Sequence, residues 1–183
     1  MRQLPNVLTL IRICLVVPVA WELQAEHYRN AIGLFLIAGM TDALDGFLAR
    51  RFDWRSRFGA MADPLADKLL LVTTFVILAL SGKVPMWLMW LALARDLWII
   101  TGTLMYRLWT GHFEIQPSLW GKLSTFFQIA YLASIIVQGA GLPLSDVWIR
   151  VLMWAVTALA GVSALDYTLR WWIRGRREKE AAR

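Results

Sequence analysis

The chain has 183 residues, of which 58% are hydrophobic and 13% aromatic, including 11 tryptophans, while 17% are charged. Average soluble proteins hold about 45–50% apolar residues, so a soluble enzyme, which needs more polar surface, and a disordered chain, which has far fewer apolar residues, are both excluded. The 19 basic and 13 acidic residues leave a net charge of +6, which in an integral membrane protein reads as basic loops facing an anionic leaflet rather than as nucleic-acid binding.

A transmembrane helix needs about 20 mostly apolar residues. Six segments qualify: 7–23, 31–49, 59–80 (its start at 59 or 60), 86–109, 118–138 and 147–173. They predict an all-α integral membrane protein of six transmembrane helices, with residues 1–183 as a single domain. The first segment carries Arg12 and lacks a small-residue cleavage site, so it reads as a retained helix. Cys14 lies in the same segment and is expected to be a small buried hydrophobe; as the lone cysteine it permits no intrachain disulfide. Pro and Gly punctuate the joins at 81–85 and 139–143. The run 86–98, rich in Trp and Met, reads as lipid-facing and packing surface. Arginines 50, 51, 55 and 57 follow the second segment, and Arg174, Arg176, Arg177, Lys179 and Arg183 follow the sixth. The opposite loops hold little positive charge, so both termini are expected in the cytoplasm, with a bacterial inner membrane as the simplest location.

Acidic residues crowd into one region. It reads Asp42-Ala-Leu-Asp45-Gly46-Phe-Leu-Ala49-Arg50, then eight residues, then Gly59-Ala-Met-Ala-Asp63-Pro-Leu-Ala-Asp67. On helices, spacings of three and four put each pair on one face. A short basic loop makes the two helices antiparallel neighbours, so four carboxylates can converge at one depth near the cytoplasmic side. Four adjacent negative charges at membrane depth are costly. Either some are protonated, or divalent cations neutralise them. Two Mg²⁺ ions would cancel four carboxylates, and oxygen ligands suit Mg²⁺, Mn²⁺ or Ca²⁺ rather than zinc. Gly46 and Gly59 allow a ligand to approach the backbone closely. Arg50, one turn beyond Gly46, can meet an anionic group such as a diphosphate.

Together these residues match D-x2-D-G-x2-A-R-x8-G-x3-D-x3-D at all eight fixed positions. The pattern resembles the signature of the CDP-alcohol phosphotransferase family, and Pro5-Asn6, Thr9 and Arg12 resemble its phospholipid-synthase branch. The resemblance implies six transmembrane helices, usually in a homodimer. It implies transfer of a phosphatidyl group from CDP-diacylglycerol to an alcohol, releasing CMP. By position, Asp42, Asp45, Asp63 and Asp67 correspond to the ligands of one or two divalent ions, Mg²⁺ or Mn²⁺. Gly46, Arg50 and Gly59 correspond to CDP contacts, and Asp67 to the general base.

The acceptor alcohol is read from later residues. The chain resembles two branches, one accepting glycerol 3-phosphate and one accepting phosphatidylglycerol to form cardiolipin. The fourth segment bears Arg95-Asp96, Thr103 and Tyr106-Arg107. The glycerophosphate branch usually has a second Arg at the place of Thr103 and a second Lys at the place of Ser124. Two positive groups are thus absent, which favours the monoanionic phosphatidylglycerol over the near-dianion glycerol 3-phosphate. Arg95, Arg107 and Lys122 are the candidate acceptor contacts; Arg95 could instead pair with Asp96, and Arg107 could be an interfacial anchor. Asp166 and Arg170 read as a structural i, i+4 pair. A divalent-cation transporter is the alternative from another class, but it would spread acidic groups across the bilayer.

Overall fold

A computed structural model describes the backbone of residues 4–52, 57–110 and 118–181, with side chains for 10–41, 66, 68–106, 108 and 118–173. The described residues form six helices and no strand: α1 (Leu4–Gln24), α2 (Tyr28–Phe52), α3 (Arg57–Leu80), α4 (Met86–Thr110), α5 (Leu119–Gly139) and α6 (Asp146–Ala181). Each predicted segment lies within one or two residues of a helix or inside it. α2 runs on through Arg50 and Arg51, and α6 runs eight residues beyond its apolar segment. Hydropathy marks the apolar stretch of a helix, not its end. The tail of α6 is rich in Arg, Glu, Lys and Ala, all good helix formers.

Among the described residues, three helices are long and apolar enough to cross a membrane by length and composition: Met86–Tyr106, Leu119–Gly139 and Asp146–Ile173. Their outer faces are apolar too. Trp87, Trp90, Trp98, Leu108, Trp148, Trp154, Leu165 and Trp172 are all exposed. So much exposed apolar surface calls for a hydrocarbon solvent. Cys14, expected inside, is exposed on α1. In lipid an apolar side chain is equally content on either face of a helix, so hydropathy does not assign it a side.

The chain divides into two compact units, one of residues 1–85 with 132–145, the other of 86–131 with 146–183. In the first unit α1 packs on α2 and on α3. The buried stripes are Arg12, Val19 and Leu23 on α1, Ala31, Phe35 and Ala38 on α2, and Ala66, Leu70, Thr74 and Leu78 on α3. Their spacings of three, four and seven are those of one helical face.

Three helix ends of this unit close in the same way. Lys83 N–H donates to Leu78 C=O at 2.9 Å, Leu142 to Val137 at 3.3 Å and His27 to Glu22 at 2.9 Å. Each closure is the six-to-one bond of a Schellman end, which needs a left-handed residue just before the donor. Gly82 (φ +73°) and Gly141 (φ +81°) fill that position in two helices, and Glu26 (φ +57°) fills it in the third. The Tyr28 ring lies on Gly139, where an added Cβ would come within 2.7 Å of the ring's first carbon. Lys83 sits 5.8 Å from the centre of the same ring, and Arg29 Nε donates to Ala140 C=O at 3.3 Å. Gly139→Ala is therefore expected to destabilise the protein by about 1–3 kcal/mol through overpacking, which a thermal melt of the detergent-solubilised protein measures.

In the second unit α4 packs on α6. Trp87 meets Trp154 at 6.3 Å between ring centres, Arg95 meets Ser163, Trp98 meets Thr168, and Gly102 meets Trp171. Both numbers rise together, so α4 and α6 run parallel. Ser118 meets Tyr167 while Gly121 lies beside Arg95, the partner of Ser163. The start of α5 therefore opposes the direction of α6.

Candidate active site

The acidic quartet occupies the end of α2 and the start of α3. Positions 42 and 45 lie four and seven residues beyond the buried Ala38 on α2. On α3, 63 lies three before the fully buried Ala66, and 67 lies three before the buried Leu70. The level of each position follows from the helical rise of about 1.5 Å per residue. From Tyr28, positions 42 and 45 stand about 21 and 26 Å along α2; from Leu80, positions 67 and 63 stand about 20 and 26 Å along α3. The Lys83–Tyr28 contact puts those two helix ends together. Counted from those ends, positions 42 and 67 lie at similar distances along their helices, and so do 45 and 63. The side chains of Asp42, Asp45, Gly46, Arg50, Gly59, Asp63 and Asp67 lie outside the described residues, as does that of Arg107.

Among the described residues, no three His, Cys, Asp or Glu side chains gather as a metal site. The quartet therefore remains the candidate centre. Its donor set is carboxylate alone, which fits a hard divalent ion and not a thiolate- or imidazole-seeking one. α1 packs on both quartet-bearing helices, and its Arg12 is 1% exposed.

The second unit holds the other candidate residues. Arg95 on α4 is 6% exposed. Its Nη1 donates to Asp96 at 2.8 Å, and its Nη2 donates to the Ser163 hydroxyl at 2.6 Å and to Gly121 C=O at 3.2 Å. The pairing of Arg95 with Asp96, one of the two readings of the sequence, is present. Lys122, by contrast, is exposed at the first turn of α5. Ser118 caps that turn by accepting from Gly121 N–H at 3.0 Å, and Ser118 N–H donates to the Tyr167 hydroxyl at 3.2 Å. Asp166 and Arg170 form the expected pair at 2.9 Å.

Sequence reasoning missed Ser163 and Tyr167 on α6 and the polar face of α5. Ser124 and Gln128 are both buried, and their Oγ and Nε2 find no hydrogen-bond partner. Thr125, Thr157 and Thr168 on α5 and α6 return their hydroxyls to the carbonyl four residues back. Ser124 does not. The spacing of Ser163 and Tyr167 with Val156 and Ala160 on one α6 stripe was the available signal, but it reads equally as packing.

Residues 2–162 match the family model described as CDP-alcohol phosphatidyltransferase. The chain is 34% identical over 176 residues to a probable phosphatidylglycerophosphate synthase of Mycobacterium tuberculosis, covering 92% of this chain and 81% of that one. It is 29% identical over 189 residues to a CDP-diacylglycerol–glycerol-3-phosphate 3-phosphatidyltransferase of Bacillus subtilis, covering 94% and 96%. It is 28% identical over 181 residues to the human cardiolipin synthase (CMP-forming), covering 90% of this chain and 60% of the human one. This chain thus spans about 60% of the human relative's length.

Proposed function

The chain belongs to the CDP-alcohol phosphatidyltransferase family, and from that premise we propose that it transfers the phosphatidyl group of CDP-diacylglycerol to phosphatidylglycerol, forming cardiolipin and CMP. The observation that carries the reaction is the eight-position motif laid across the end of α2 and the start of α3.

Asp42, Asp45, Asp63 and Asp67 would hold one or two Mg²⁺ or Mn²⁺ ions, which when bound neutralise the diphosphate and the charge developing on CMP. Gly46 and Gly59 let the diphosphate approach the helix backbones, and Arg50 pairs with it. Asp67 takes the acceptor's hydroxyl proton as general base. The acceptor oxygen forms the new bond to the phosphatidyl phosphorus, the bond from that phosphorus to the CMP oxygen breaks, and CMP departs with the electron pair.

The acceptor reading rests on cations in the second unit. Nη1 and Nη2 of Arg95 bond Asp96, Ser163 and Gly121, and Lys122 is the exposed cation assigned to the acceptor phosphate. One such contact, joined by Arg107, suits the single charge of a phosphodiester better than a dianion. Glycerol 3-phosphate is the second reading, favoured by the names of the Mycobacterium and Bacillus relatives. All six helices cross the membrane in this proposal, with both termini and the four motif aspartates on the cytoplasmic side of a bacterial inner membrane and the protein a homodimer. A cation transporter does not call for a nucleotide-binding pattern beside its carboxylates.

The test is an acceptor panel. The purified protein in mixed micelles receives CDP-diacylglycerol, Mg²⁺ and either phosphatidylglycerol or glycerol 3-phosphate, and lipid products are identified by mass. Cardiolipin with stoichiometric CMP is the expected result; product from glycerol 3-phosphate alone overturns the acceptor assignment.

A further inference from the structure

We propose that Arg95 is a positioning residue: anchored by Asp96 and Ser163 it holds the Gly121 carbonyl and, together with the Tyr167 hydroxyl on Ser118, fixes the first turn of α5 and so places Lys122 for the acceptor phosphate. This deepens the reading above and rests on its assignment of Lys122.

Three helices of one unit meet at this guanidinium. Nη1 is held by Asp96 of its own helix, while Nη2 reaches Ser163 on α6 and the carbonyl of Gly121 on α5. A side chain at residue 121 would crowd the contact to α5. A Cβ on residue 121 would stand 3.3 Å from Arg95 Nη2, 3.3 Å from Ser118 Oγ and 3.2 Å from the Tyr167 ring. Tyr167 reaches the same turn by accepting from Ser118 N–H, and Ser118 caps it through Gly121 N–H. Lys122 N–H donates to Ser118 C=O at 3.1 Å. The backbone from Ser118 to Lys122 is thus held from α4 on one side and α6 on another. Arg95, Ser118 and Ser163 are all at least nine-tenths buried, whereas Lys122, the next residue along, is exposed. Nη1 and Nη2 of this buried cation are committed to protein groups, while its buried Nε has no hydrogen-bond partner in the protein. An exposed cation on the turn it braces is well placed to meet a ligand. Each partner bond adds rigidity at the cost of no mobile side chain at the ligand itself.

The test uses Ser163→Ala and Tyr167→Phe, which remove one bond each and keep the packing, in place of an Arg95 deletion that endangers folding. Each is expected to raise the KM for the acceptor about fivefold, the equivalent of one net hydrogen bond, with KM for CDP-diacylglycerol within twofold of wild type. Combined with Lys122→Gln, neither is expected to raise acceptor KM further, because the positioned group is gone. Additive effects in those double variants overturn the inference, as does an unchanged acceptor KM in Lys122→Gln. An equal rise in both KM values also overturns it, since general loosening of the fold moves both. Wild-type protein that transfers to neither acceptor would instead sink the proposed reaction.

Discussion

Asp67→Asn is expected to leave the helices intact and to lower turnover by about 10²–10⁴-fold, the usual contribution of a positioned general base. The variant keeps the size and shape of the side chain and removes its basicity. Its neighbours on α3 favour a preserved fold, because Ala66, Leu70, Leu71 and Thr74 are all buried and untouched by the change. The amide still offers one oxygen to a metal, so binding of CDP-diacylglycerol is expected to weaken far less than turnover. CMP release measured on folded variant protein decides the matter, and near-wild-type release refutes the base assignment.

Arg95→Met is expected to cost about 3–5 kcal/mol of stability, the range for removing one member of a buried ion pair. Asp96 is 8% exposed and would stay in its site without the guanidinium 2.8 Å away. The Ser163 hydroxyl and Gly121 carbonyl would lose a donor at the same time. Asp96→Asn removes the charge with the acceptor oxygen kept, and is expected to cost less. Unfolding in urea or by heat ranks the two. Equal stability of Arg95→Met and wild type would show that the three-helix junction is not held by this pair.

The places where sequence reading succeeded share a local cause. Gly82 and Gly141 end their helices because a left-handed residue completes the closing bond, and a glycine two or three residues before a proline announces that. The aspartate spacings of three and four are meaningful on a helix regardless of what packs against it. The misses were long-range or two-sided. Glu26 takes a glycine-like conformation that nothing in its neighbourhood predicts. Cys14 is apolar enough for either side of a helix bathed in lipid. Arg95 meets Ser163 across 68 positions of sequence, so Asp96 was visible as a partner and Ser163 was not. The tail of α6 stays helical because helix propensity, unlike membrane insertion, tolerates charge.

The account stands on the proposal that the four motif aspartates hold a divalent metal. The most direct measurement is CMP release from CDP-diacylglycerol and acceptor as free Mg²⁺ is varied with a chelating buffer, in wild type and in Asp45→Asn. The prediction is no release without the ion, full recovery when Mg²⁺ or Mn²⁺ is returned, and no recovery in the variant at any concentration. Undiminished release in the presence of excess chelator would contradict it.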